Sequence, residues 1–141
     1  MEAPDAGLAA ELERSLELTA ERLGDPTAQV YRRLFELAPD LEPLFAGDRS
    51  GSVRGEMLQR ALETLLDLVR GAPYAHGLIA TEQINHAQFG VPPARFTLFL
   101  VAVVDVVRDA LGAQWDAAIA AAWQAVLDRA AAACGTGPGA R

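Results

Sequence analysis

The sequence predicts an all-α domain, and three observations carry that prediction. Alanine and leucine supply 28 and 19 of the 141 residues, and both lose little side-chain entropy in a helix. Glycine and proline cluster at a few places only: Asp25-Pro26, Pro39, Pro43, Gly47–Gly55, Gly71–Pro73, Gly90–Pro93, Gly112 and Gly135–Gly139. Between those breaks apolar residues recur every three to four positions, which marks one face of a helix. At 51% hydrophobic and 22% charged the composition is globular. One core is expected over residues 1–134, with 135–141 as a flexible tail.

Taken in order, Leu8, Leu12, Leu16 and Leu23 mark a first helix from about Pro4 to Leu23. Val30, Leu34 and Leu37, flanked by Tyr31 and Phe35, mark a second from Pro26 to Ala38, and Leu41, Leu44 and Phe45 suit a short helical turn. Leu58, Leu62, Leu65 and Leu66 define a long helix over Ser52–Val69. A short helix follows at Gly77–Ala87, then two long ones at Pro93–Leu111 and Gln114–Ala133. Phe96–Val107 holds five valines and would score as strand on propensity alone. Its length and its apolar character on every face favour a helix buried on nearly all sides.

The formal net charge of −7 argues against a nucleic-acid footprint and against an anionic membrane surface as partner. The longest apolar run, Phe96–Val104 interrupted by Thr97, is too short to span a bilayer. The acidic start Met-Glu-Ala-Pro-Asp does not resemble a secretory leader. A lone cysteine, Cys134, makes neither an internal disulfide nor a cysteine metal site. A cytoplasmic location is the expectation.

Residues that carry chemistry are few. There are two histidines, His76 and His86, and no phosphate loop, dinucleotide fingerprint or nucleophile elbow. Glu11, Glu13, Glu17 and Glu21 fall at helix-surface spacing and read as a solvated face. His86 is the informative residue. As a charge partner at a helix C-terminus it would be unremarked. Its surroundings, however, are Phe89, Val91, Phe96 and Phe99, with Glu82 the one nearby carboxylate. A neutral imidazole facing an apolar slot suits an axial ligand to an iron porphyrin.

The segment His86-Ala-Gln-Phe-Gly-Val-Pro-Pro-Ala-Arg-Phe96 resembles the proximal motif of the globin family. Val30-Tyr-Arg-Arg-Leu-Phe35, Pro39, Leu41, Leu44 and Phe45 are similar to that family's second helix and the corner after it, and Trp123 stands where many bacterial globins carry a tryptophan. The resemblance, to single-domain bacterial haemoglobins and the globin domain of flavohaemoglobins, runs over about residues 8–133. It implies a globin fold of six to eight helices in a three-over-three sandwich around haem b, iron protoporphyrin IX. His86 would be the metal ligand, and Phe45, Leu58, Phe89, Val91, Phe96 and Phe99 would line the cofactor.

On the distal side the resemblance places Tyr31 as donor to bound dioxygen, a preorganised dipole aimed at developing negative charge. It places Arg54, one turn before Leu58, at the position usually held by a histidine or glutamine. The cost of burying an always-charged guanidinium beside a neutral ligand puts it instead at the pocket mouth, beside a haem propionate or an anionic ligand. The family's reductase-linked members carry a tyrosine at the Phe96 position and a glutamate late in the last helix. Here Phe96 has no hydroxyl, and no acidic side chain follows Asp128. Glu82, four residues before His86, replaces an apolar residue of the family and has no evident reason in the sequence. The implied function is reversible binding of dioxygen, nitric oxide or another diatomic gas. The alternatives are nitric oxide dioxygenation with a separate reductase and a haem-free globin-fold interaction or sensor domain.

Overall fold

The computed structural model describes residues 5–135, and within them every regular element is helical. Helix α1 spans Ala6–Leu23. It starts where the Asp5 carboxylate accepts the Leu8 N–H at 3.0 Å, the side-chain cap that a helix N-terminus demands. Helix α2, Thr27–Leu37, is entered through Asp25, whose Oδ1 accepts from the Thr27 N–H at 3.0 Å and from its hydroxyl at 2.6 Å. A 3₁₀ helix over Pro39–Phe45 follows. Helix α3, Ser52–Val69, keeps the expected limits.

Helix α4 corrects the sequence reading. It spans Pro73–Gln88, four residues longer at its start than the predicted Gly77–Ala87. Pro73 occupies the first turn, where a missing N–H costs nothing. Gly71, at φ +80°, supplies the sharp reversal out of α3. His76 therefore lies in a helix and not in a loop. Helix α5 spans Pro93–Leu111 as expected, with no strand at its valines. A 3₁₀ turn at Gly112–Gln114 precedes α6, Ala117–Gly135. That helix starts later than expected because Asp116 Oδ1 accepts the Ile119 N–H at 2.9 Å. It runs through Gly135, and the rest of the proposed tail lies outside the described residues.

Contacts sort the helices into two layers of three, with α1, α3 and α4 side by side over α2, α5 and α6. The expected three-over-three arrangement is thus the observed one. Helix α5 sits at its centre, against α1, α2, α4 and α6. Its second half turns Ala102, Val103, Val106, Val107 and Leu111 into the core, while Arg108 and Asp109 are exposed. In its first half Phe96–Leu100 are all half-buried and Val101 is 39% exposed. The expectation of burial on nearly all sides holds for only one end of the helix. Among the described residues no helix is long and apolar enough to cross a membrane.

The layers are pinned by a buried polar contact. Trp123, 1% exposed, donates its Nε1–H at 2.9 Å to Ser15 Oγ on α1. Ser15 Oγ donates onward to the Leu12 carbonyl at 2.8 Å, and Thr19 Oγ1 donates to the Ser15 carbonyl at 2.8 Å. Every polar atom of the contact is satisfied, as burial requires. Ser15→Ala should leave the indole N–H buried without an acceptor and cost about 1–3 kcal/mol. Urea unfolding of the mutant should show a lower midpoint at unchanged slope.

Candidate functional site

The corner between α4 and α5 places His86. Helix α4 ends in a Schellman motif: the Val91 N–H donates to the His86 carbonyl at 3.0 Å and the Gly90 N–H to the Ala87 carbonyl at 3.2 Å. This closure needs a left-handed residue after the C-cap, and Gly90 supplies it at φ +89°. Pro92 and Pro93 then open α5. The reversal brings Phe96 back onto His86, with ring centroids 5.1 Å apart and planes at 60°. The Gly-Val-Pro-Pro run thus sets the distance between a histidine and an aromatic ring.

His86 Nδ1 lies 2.7 Å from the Glu82 carbonyl oxygen. A carbonyl only accepts, so Nδ1 carries the proton, and in the neutral ring Nε2 keeps its lone pair. That is the tautomer a metal-binding imidazole needs, oriented by the hydrogen bond its other nitrogen makes. The side chain is partly open, at 29% exposure.

A separate group of rings joins α5 to α2. Phe99, one turn beyond Phe96, meets Tyr31 at 5.5 Å, and Tyr31 meets Phe45 at 5.2 Å and Phe35 at 6.0 Å. Phe35 and Phe45 close the group at 5.7 Å. Such tilted and edge-on pairs are the favoured aromatic geometries. Phe45, Phe96 and Phe99 are only half-buried, whereas Tyr31 is 2% exposed. Its hydroxyl is buried with no hydrogen-bond partner, a costly condition for a phenol.

Arg54 is held. Its Nε donates to Asp48 Oδ2 at 3.1 Å, its guanidinium to the Asp48 carbonyl at 2.7 Å, and its own N–H to the same carboxylate at 3.0 Å. Asp48 also accepts the Val53 N–H at 3.2 Å, so it caps α3 from the loop. Gly51, at φ +80°, allows that loop to fold back. Burial acts to raise the Asp48 carboxyl, but the hydrogen bonds from Arg54 and Val53 outweigh it and hold the group below its ordinary range. The ion pair lies within electrostatic reach of the Tyr31 hydroxyl without bonding to it.

The remaining site candidates divide. Leu58 is buried, one turn from Arg54, and walls an apolar cavity of about 180 Å³ together with Val30 and Val103. Val91 is half-buried in the corner. Phe89 does not join them: as the C-cap residue of α4 it is turned outward and is 78% exposed. Sequence reasoning missed the grip of Asp48 on Arg54, since the partners are six residues apart across a loop that has no helical periodicity.

A family model described as Globin matches residues 28–134, from the first turn of α2 to the end of α6. The chain belongs to the globin family. Comparison with curated proteins and with solved structures gives no match. Family membership brings haem-based binding of small gaseous ligands as the general function. The residues of this globin fit a haem on two observations of their own: the free Nε2 of His86 and the buried, unpartnered hydroxyl of Tyr31.

Burial pushes the Tyr31 hydroxyl above its ordinary value of 10.0; the Arg54 charge pulls it down and Asp48 adds to the rise. Below pH 10 the folded and unfolded chains both hold the proton, and stability does not depend on it. Above pH 10 the unfolded chain releases it first, so stability falls with rising pH, by up to about 1.4 kcal/mol per unit. In the ligand-free globin Tyr31→Phe should gain about 1 kcal/mol at neutral pH, because it deletes an unsatisfied buried group. It should also soften the alkaline loss of stability. Denaturant titrations at pH 7 and pH 11 check both, and a mutant less stable than wild type at pH 7 contradicts the assignment.

Proposed function

We propose that this globin binds haem b through His86 and reversibly binds dioxygen or another diatomic gas, with Tyr31 as hydrogen-bond donor to the ligand. The observation that carries the reading is the His86 ring. In its neutral form it is fixed by the Glu82 carbonyl with Nε2 free, and it packs on Phe96, one turn of α5 before Phe99, which meets the ring of the unpartnered Tyr31. The haem, when bound, supplies the iron that takes the gaseous ligand.

The chain's own residues would then do three things. His86 would hold the iron from one side, its orientation set before the cofactor arrives. Phe45, Leu58, Val91, Phe96 and Phe99 would give apolar walls that exclude water, and the half-buried rings would lose their remaining exposure against a planar group. Tyr31 would donate to the ligand. It stands on a short tether among three rings, so little ordering is needed. Arg54 is less suited to that task because its guanidinium is already committed to Asp48. It belongs at the mouth.

His86→Ala should abolish or severely weaken haem retention, whereas His76→Ala should leave the visible spectrum unchanged. A normal five- or six-coordinate spectrum in His86→Ala overturns the ligand assignment. On the distal side, a hydrogen bond to a partly charged acceptor is worth about 1.5–3 kcal/mol, roughly ten- to hundredfold in an equilibrium constant. Tyr31→Phe should speed oxygen release by about that factor, and Arg54→Ala should change it little. Stopped-flow oxygen dissociation reads both, and the reverse ranking would exchange the two roles.

A further inference from the structure

Glu82 had no reason in the sequence, and the structure supplies one. Its carboxylate lies one helical turn before His86, with Oε2 3.8 Å from His86 Nδ1. That nitrogen is the one whose proton goes to the Glu82 carbonyl at 2.7 Å. We infer that Glu82 is a positioning residue that strengthens His86 as an electron donor, by setting a full negative charge beside the Nδ1–H of the ring. The inference rests on His86 being the axial ligand.

The physical argument separates two effects of one residue. The main-chain carbonyl fixes the tautomer and the ring's orientation, and any residue at position 82 would provide it. The side chain adds a charge. When Nε2 shares its lone pair, the ring becomes more positive and its Nδ1–H more acidic. A carboxylate beside that proton stabilises the ring in this state and so favours the sharing. Phe96, the aromatic neighbour of the ring, has no hydroxyl to contribute. Among the described residues Glu82 is the only carboxylate within 4.0 Å of a His86 ring nitrogen. Partners that orient and polarise a ligating histidine commonly come from elsewhere in a fold; in this chain the ligand's own helix carries one, at the (i, i+4) spacing that places two side chains on one face.

Both groups are partly open, at 29% and 47% exposure, so solvent and salt screen the charge and the effect belongs to the range of surface pairs. Removing the charge should shift the ferric-to-ferrous equilibrium about two- to fivefold toward the ferrous form.

The test uses the haem-loaded full chain in four versions: wild type, Glu82→Gln, Glu82→Asp and Glu21→Gln. The last removes an equal charge from α1, far along the chain. Resonance Raman of the ferrous, ligand-free protein reads the iron–histidine stretch, and spectroelectrochemistry reads the midpoint potential at low and high salt. Glu82→Gln, which keeps the carbonyl and the helix propensity, should lower the stretching frequency and raise the potential. Glu82→Asp should fall between, Glu21→Gln should match wild type, and high salt should move wild type toward Glu82→Gln. Equal frequency and potential in wild type and Glu82→Gln would overturn the inference and leave an ordinary surface contact. A wild-type protein with no iron–histidine band would instead overturn the axial-ligand reading on which it rests.

Discussion

The constraint on which the structure depends is the covering of α5. An apolar helix of this length must be shielded on several sides, and its fully buried residues, Ala102, Val103, Val106, Val107 and Leu111, all lie in its second half. Over the first half the packing runs out, and Phe96, Phe99 and their neighbours stay half-buried. The other end carries the core contacts, through Val103, Val107 and the buried Trp123–Ser15 hydrogen bond. The proposed site lies at the unsealed end. The same helix serves as stabilising beam and as wall of the site.

The two polar groups of the site sit differently in that wall. His86 is satisfied locally, through a carbonyl one turn back in its own helix, so its free nitrogen costs the fold little. The Tyr31 hydroxyl is buried among rings with no hydrogen-bond partner, a destabilising arrangement. Arg54 and Asp48 illustrate the opposite policy, a charge brought near the site and neutralised at once by its partner. The site therefore offers one free lone pair, one free hydroxyl and a set of apolar faces.

Much of this was legible in the residues. The helices follow from leucine spacing and from glycine and proline breaks, and the His86 corner from Gly90 and the following prolines, because local backbone rules act over few residues. The start of α4 was misread because Pro73 begins a helix as readily as it ends one. Phe89, expected among the lining residues because it stands next to the ligand motif, is turned outward by its backbone position at the cap. Two contacts had no signal in the sequence: Trp123 to Ser15 across the layers and Asp48 to Arg54 around a loop. They are set by tertiary packing and loop closure, which periodicity does not report.

The central claim is that these residues form a ready site for one haem held by one histidine. Titrating ferric protoporphyrin IX into the purified chain, followed by visible absorption, tests it most directly. The account predicts a saturable Soret band with a sharp break at one haem per chain and the spectrum of a histidine-ligated iron. A featureless rise with no break would contradict it.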